Sequence, residues 1–396
     1  MTMAFSWDSG GDGVAPSFRA ALPSIIFLAG LFYLNFTARI IFSPLLPTIS
    51  SELGLSRTDA GSLFFCMSSG YFVSIILSGH VSGRINHKRT IILSSVASGT
   101  MLLLLPICTS FVAVRSCLVA LGFAAGLYLP SGLSTILRLV PSGYTARGIA
   151  VHELAPNLAF MVTPVVCVAG LSFFSWRTEL VIMGCLLIGM GAAYHYSGRN
   201  QTMGVPPGFD AARQLLRLPR FWYITTMFSM AICSTLGLYT MLPLYLVQER
   251  GMDIHGANSL VALSRVGSVI MPLLSGWFGD RFGNERVMGW VLFLAGWLTI
   301  PLYRIEGWPL VVLIVVQPIV AVCFFPSAFA VLSTVGPEKA GNIAISFCIP
   351  LAFLCGGGIL PTLIGVIGDH VSLGAGMLAA GCLMVMASLL AVKIRR

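Results

Sequence analysis

The chain has 396 residues, of which 57% are hydrophobic and only 9% charged, with a net charge of +9. A soluble domain carries about 25% charged residues, so this composition excludes a water-soluble globular enzyme. Its hydrophobicity equally excludes a disordered chain.

A membrane span takes roughly 20 apolar residues, so twelve of them fit this length with short connectors. The first 18 residues hold the stretch SWDSGGDG and lack the basic start and cleavage site of a signal peptide, which predicts that the first apolar run is retained. Apolar runs then follow at about 22–47, 58–82, 88–109, 111–139, 146–171, 176–197, 221–247, 256–279, 286–303, 309–335, 341–367 and 372–393. Runs this long predict helices, because an isolated strand cannot satisfy its backbone in lipid. Barrel strands would alternate over about 10 residues, and these do not.

Of the 23 Lys and Arg, 16 fall in segments on the side of the termini, among them Arg84, Arg199, Arg281 and Lys339. Five fall in the opposite loops: Arg57, Arg115, Arg177, Arg250 and Arg304. That asymmetry predicts a multi-pass protein of the inner or plasma membrane with both termini in the cytoplasm. It accounts for the positive balance without nucleic acid as a partner. The ten cysteines lie in apolar runs with no CxxC pair, which predicts packing residues and neither a metal site nor a cofactor.

Four landmarks recur at half the chain length. Gly79-His-Val-Ser-Gly83-Arg84 returns loosely as Gly276-Trp-Phe-Gly-Asp280-Arg281, and Pro164 as Pro361, both at an offset of 197. Pro130-Ser131 returns as Pro326-Ser327, and Leu46-Pro47 as Leu242-Pro243, both at 196. The common spacing predicts an N-terminal six-helix bundle over 1–197, a cytoplasmic linker over 198–220 and a C-terminal six-helix bundle over 221–396. Parallel halves point to a transporter with its site near the bilayer midplane. The linker holds Pro206-Pro207-Gly208 and an amphipathic stretch from Asp210 to Leu218. No GxxxxGK[ST] loop occurs, so ATP is not the expected energy source.

On these residues the chain resembles the major facilitator superfamily over nearly its whole length. Gly276-Trp-Phe-Gly-Asp280-Arg281-Phe-Gly283 looks like that family's signature loop, G-x-x-x-D-R-x-G. The first-half copy departs from it: Gly83 stands where the acid belongs and Asn86 where a glycine belongs, though Arg84 remains. Gly122-Phe-Ala-Ala-Gly126 with Pro130 resembles a fourth-helix motif of the family, with Leu118 where that motif has an Arg. The resemblance implies an all-α membrane protein of twelve helices in two pseudo-symmetric bundles, working by alternating access. Arg84, Gly276, Asp280 and Arg281 are then gating residues.

Two cations fall inside spans. Each costs roughly 2.5–3.5 kcal/mol at a helix centre, which makes it a functional candidate by default. Arg39 lies past the middle of the first run, with Asn35 and Ser43 at i−4 and i+4 and Tyr33 nearby. This pattern predicts an anion-binding face. Arg39 also precedes Pro47 by eight residues and Glu52-Leu53-Gly54 by thirteen, a spacing similar to that of anion-transporting family members. Arg265 sits about 16 Å, at 1.5 Å per residue, from the loop at Gly276, near the midplane. An eighth-helix Arg is shared with the family's oxalate and monocarboxylate-like branches.

Among the 14 acidic residues, only Glu153 reads as lying within a span. It follows His152, and histidine as a residue type changes charge near neutral pH. The two are candidate proton carriers, with a gate or packing contact as the alternative. Tyr128, Tyr239 and Gln317 are further candidate substrate contacts, with Tyr71 beside them. Gly356-Gly357-Gly358 predicts close helix approach at a rocking interface.

The expectation is a secondary transporter for a small organic anion, a carboxylate first, moved across the inner or plasma membrane by a monomer. Proton coupling is one drive and exchange another. Alternatives are an inorganic-anion transporter of the nitrate type, an efflux pump for drugs or metabolites, and a non-transporting sensor. No nucleophile–base pair suggests an enzyme.

Overall fold

The computed structural model describes residues 17–198, 202–204, 209–269, 271–335 and 341–395. The SWDSGGDG stretch, Arg199, Lys339, Arg396 and Pro206-Pro207-Gly208 lie outside them. Among the described residues every regular element is a helix. Ten are long and apolar enough to cross a membrane, and a bent pair at 254–282 makes an eleventh.

One of the ten, Arg57–Ile107, has 51 residues, about 75 Å at 1.5 Å per residue and over twice the bilayer core. It is two rods meeting at Asn86, whose φ of 67° and ψ of 166° break the helix. Dividing it there is consistent with the twelve spans expected. The rods are α1 (Phe18–Leu53), α2 (57–85), α3 (87–107), α4 (Phe111–Leu139), α5 (Arg147–Leu171), α6 (Trp176–Ser197), α7 (Pro219–Gln248), α8 (254–282), α9 (Asn284–Tyr303), α10 (Trp308–Leu332), α11 (Ala344–His370) and α12 (Leu373–Ile394). A short helix, Phe209–Leu216, lies between α6 and α7.

Prolines set the breaks. α1 is interrupted at Ile41, because Pro44 has no N–H to give the Ile40 carbonyl. In α8, Pro272 follows the 3-10 turn Gly267–Val269 and lacks a donor in the same way. Asn86 holds its turn by accepting the Arg89 N–H on Oδ1 at 2.9 Å. Its counterpart 197 residues on, Gly283, also has a positive φ, 89°. Asn is among the few residues with a side chain that tolerates this region.

Large apolar side chains such as Trp277, Trp290, Trp297 and Trp308 are exposed on the outside of the rods, as expected of a surface solvated by lipid. The connecting segment is tied to the α2–α3 turn: the His87 N–H donates to Thr202 O at 3.0 Å and the Gly204 N–H to Ser82 O at 3.1 Å.

α2 and α11 run antiparallel and are closed along one seam. At the end bearing Arg57, the Asp369 carboxylate accepts the N–H groups of Arg57 (2.8 Å) and Thr58 (2.9 Å). The Arg57 guanidinium donates to Gly368 O at 2.7 Å and pairs with Glu249 at 2.9 Å. Glu249 also accepts the N–H groups of Leu373 and Gly374 at the start of α12. Further in, Thr362 Oγ1 donates to Gly61 O at 3.2 Å. Gly358 packs on Phe65 and Ser68, and the Tyr71 and Phe353 rings lie 5.5 Å apart. From Arg57 to Tyr71 the seam is about 21 Å deep at 1.5 Å per residue. Away from this end, residues 17–198 and 219–395 are joined at mid-depth by Ser43 Oγ to Tyr239 O, Tyr239 Oη to Phe160 O and Asn258 Nδ2 to Pro44 O.

Candidate functional site

Arg39 and Arg265 are both buried, at 8% and 4% exposure. Neither belongs to any of the six ion pairs among the described residues, and Nε of each lacks a hydrogen-bond partner. A buried cation without an acid needs another source of negative potential. Here aromatic faces supply part of it. The Arg39 guanidinium stands 4.1 Å from the Tyr71 ring centre, 4.8 Å from Phe36 and 5.7 Å from Phe353. Arg265 stands 4.6 Å from Phe160 and 4.8 Å from Tyr239.

The two cations share an aromatic bridge. Phe36, under Arg39, meets Phe160 edge-on at 5.1 Å, and Phe160 lies under Arg265 and against Tyr239 at 4.8 Å. Each arginine nonetheless lines its own cavity. Arg39 shares one with Tyr71, Ser68, Thr240 and Gly357. Arg265 shares the other with Tyr239, Ser264 and Gln317.

Two π-helical segments explain why the backbone can serve these cavities. Cys233–Gly237 in α7 and Cys355–Ile359 in α11 widen their helices locally, and such turns free carbonyls from the usual ladder. Thr235 O accepts Arg265 Nη2 at 2.6 Å. Ser234 presents its carbonyl and hydroxyl to the Gln317 amide at 3.2 and 2.7 Å. The segments touch: a Cβ on Gly237 would lie 2.5 Å from Gly356 O. The triple glycine therefore serves an approach of α11 to α7 through Gly356 and to α2 through Gly358, while Gly357 lines the Arg39 cavity.

The other expected substrate contacts are placed differently. Tyr239 bridges: its carbonyl accepts from Ser43 Oγ at 2.8 Å, and its hydroxyl reaches Phe160 O at 3.5 Å. Asn35 lines neither cavity. It donates to Ser94 Oγ and Ala125 O, both at 3.3 Å, tying α1 to α3 and α4. Tyr33 is half-buried against the core beside α5. Tyr128 is fully buried and donates to Leu28 O at 2.6 Å. His152, 0% exposed, touches the Tyr128 hydroxyl through Nε2 and Glu153 Oε1 through Nδ1, both at 3.2 Å. The Glu153 side chain is 46% exposed. Arg84 and Asp280 are exposed, and Gly276 meets nothing a Cβ would touch. Arg281 rests over Trp277 and Phe282.

Three features escaped the sequence reading. Glu179, in the first turn of α6, is a second carboxylate within a span, 8% exposed and packed on Gly170; its place near a loop hid it. The Arg57–Glu249–Asp369 cluster joins residues some 300 apart, beyond any local pattern. The π segments carried only the glycine run as a signal.

The profile of the Major Facilitator Superfamily matches residues 26–285 and 246–396. The membrane sensor protein UhpC of Escherichia coli is 26% identical over 348 residues, covering 80% of this chain and 76% of that one. The probable sulfoacetate transporter SauU of Cupriavidus necator is 25% identical over 295 residues, 67% of each chain. Among solved structures, an inward-facing, unoccupied bacterial homolog of the human lysosomal transporter Spinster superposes with a TM-score of 0.81 at 16% identity, over 96% of this chain and 97% of that one. At that identity the likeness is of fold.

Proposed function

From the premise that the chain belongs to the Major Facilitator Superfamily, and is a multi-pass membrane transporter rather than an enzyme, we propose that it carries a small organic anion, a carboxylate or sulfonate, past Arg39 and Arg265. The observation that carries this reading is the pair of buried guanidinium groups, each with an unpartnered Nε beside a cavity and neither ion-paired among the described residues. A ligand acid supplies the missing charge. Relatives whose names specify cargo support the class: sulfoacetate for SauU, and hexuronate for a Bacillus subtilis transporter 23% identical over 285 residues.

The two six-helix bundles, 1–197 and 221–396, rock about the aromatic bridge. With the basic segments in the cytoplasm, the closed seam at Arg57 faces outward and the site is reached from inside. An anion drawing on both arginines favours closure, because neither bundle alone neutralises both charges. Disengaged Asp280 and Arg281 fit a cytoplasmic gate that is open. His152 and Glu153 are the proton carriers in this scheme, which makes symport the drive.

Purified protein in liposomes, given labelled sulfoacetate, hexuronate and a hexose phosphate, is expected to accumulate at least one of them. Arg39→Ala and Arg265→Ala, folded and inserted, are expected to abolish uptake; unchanged uptake in both removes the anion site. The name of UhpC favours a second reading, a sensor, which would bind the anion in the same way and show no uptake.

A further inference from the structure

We infer that residues 202–204 of the connecting segment are a strap docked on the first bundle, that this strap holds the place of the acid missing at Gly83, and that it sets how far the cytoplasmic mouth opens. Of the anion reading it needs only the two rocking bundles. The break at Asn86 creates the docking place. A helix end leaves its last four carbonyls, and a helix start its first four N–H groups, without intrahelical partners. At Asn86 the end of α2 meets the start of α3, and the strap takes one group from each. The Gly204 N–H donates to Ser82 O at 3.1 Å, and Thr202 O accepts the His87 N–H at 3.0 Å. Ser82 and His87 are both buried.

The fit is close. A Cβ on Gly204 would lie 1.9 Å from Ser82 Oγ, 2.9 Å from Ser82 Cβ and 3.2 Å from Gly79 O, and a Cβ on Gly83 would lie 3.0 Å from Gly204 O. Any side chain at position 83 therefore presses on the strap, and a carboxylate would also bring its lone pairs beside those of a carbonyl. That is a physical reason for the departure of the first-half loop from G-x-x-x-D-R-x-G. The second copy is the contrast. Asp280 stands at the position of Gly83 and is exposed, and a Cβ on Gly276 would meet nothing within 4 Å. Gly279, at the position of Ser82, faces Asn284 and Ser327 of its own bundle instead. The acid is present where no described strap lies and absent where one does.

The other end of the connecting segment belongs to the second bundle. The short helix Phe209–Leu216 packs on the helix Gly341–Leu354 that opens α11. Leu215 is 0% exposed, and Leu216 O accepts the Trp222 Nε1–H of α7 at 2.8 Å. Gly204 thus moves with one bundle and Phe209 with the other. Five residues of extended chain span at most about 18 Å, so the docked strap caps the separation of these two points. Released from its dock, the chain from Gly198, where α6 ends, to Phe209 spans up to about 40 Å and caps little. The strap is a mechanical stop on inward opening, at the opposite end of α2 from Arg57.

The test uses the full chain in phosphatidylethanolamine–phosphatidylglycerol nanodiscs. Hydrogen exchange read by mass spectrometry reports the dock at the N–H groups of positions 204 and 87. The wild type is expected to protect both, and Gly83→Asp and Gly204→Ala to exchange them about tenfold faster or more. Adding Ser82→Gly to Gly204→Ala removes both side-chain atoms in the way and is expected to restore protection, which a merely misfolded variant would not do. A spin–spin distance between labels at Arg89→Cys and Arg217→Cys, both exposed, reports the mouth, with the native cysteines replaced. The two released variants are expected to add population beyond the wild-type range, and the Ser82→Gly, Gly204→Ala variant to lose it. Gly365→Ala, whose Cβ would lie 2.2 Å from Arg57 O at the far end of α2, is the control for rocking and is expected to shorten the mouth distance. An unprotected Gly204 N–H in the wild type, or equal protection at position 204 in Gly83→Asp and Gly204→Ala, overturns the dock. Faster exchange with an unchanged mouth overturns the stop, and a mouth that still responds to Gly365→Ala then leaves the rocking bundles standing. If no variant moves the mouth, the stop and the rocking bundles fall together.

Discussion

Gly365 on α11 faces the backbone of α2, and replacing it by alanine drives a wedge into the seam. The new Cβ would sit 2.2 Å from Arg57 O, 2.8 Å from Arg57 C and 3.1 Å from Thr58 Cα. All three atoms are backbone, so no side chain can yield, and the rods must part by about 1 Å to reach ordinary contact. That movement stretches the bonds from the Arg57 and Thr58 N–H groups to Asp369, now 2.8 and 2.9 Å. Overpacking of this kind costs about 1–3 kcal/mol. If the seam opens during transport, the open state escapes the cost, and the closed-to-open ratio falls by roughly 5–150-fold.

The assay is a spin–spin distance between labels at Leu53→Cys and Val371→Cys, both exposed at that end, with the ten native cysteines replaced. Gly365→Ala is expected to move population to the longer distance. Gly122→Ala is the control. Its Cβ would sit 1.9 Å from Met67 O, an equally hard clash, but between α4 and α2 inside one proposed bundle, so no rocking relieves it. It is expected to lower thermal stability and leave the distance unchanged. If Gly365→Ala behaves like Gly122→Ala, the seam is not a moving part and the reasoning fails.

Arg57→Ala, which removes the ion pair to Glu249 and the bond to Gly368 O, is expected to shift the same distances in the same direction without a steric wedge. Asp369→Asn keeps one acceptor for the two N–H groups and should give a smaller shift. Arg265→Lys preserves charge but loses the planar fork that reaches Thr235 O. Losing charge-assisted bonds worth about 1.5–3 kcal/mol predicts a rise of roughly 10–150-fold in the KM for uptake. Asn86→Val places a β-branched residue at φ 67° and is expected to cost about 1–3 kcal/mol in thermal unfolding, whereas Asn86→Gly should be tolerated.

Most of the rods were legible because lipid imposes a length rule. The run read as 176–197 is the helix Trp176–Ser197, and 146–171 is Thr145–Leu171. That Arg39 and Arg265 call for an explanation was legible for the same reason, since a charge in an apolar run is conspicuous. What they touch was not. Of the faces that hold Arg39, Tyr71 was among the candidates but not tied to it, and Phe353, 314 positions away, was not singled out, because aromatic residues are too common in such helices. Asn35 was grouped with Arg39 by helical spacing; both precede the break at Ile41, and Asn35 is taken up by bonds to α3 and α4 that spacing along α1 does not encode. Asn86 was noted as standing in a glycine's place; only its dihedral angles show that it adopts the glycine's conformation.

The π segments make chain length the fragile property of this region. Cys233–Gly237 and Cys355–Ile359 each tolerate a residue that a regular helix has no room for. Removing one residue from Cys233–Gly237 would let the ladder close in α register with the rest of α7 in place, and would withdraw the loosened carbonyls of Ser234 and Thr235 on which Gln317 and Arg265 draw. An alanine in place of Ser234 or Leu236 would leave that register untouched. Indel scanning and alanine scanning of the same five positions should therefore give opposite maps of importance.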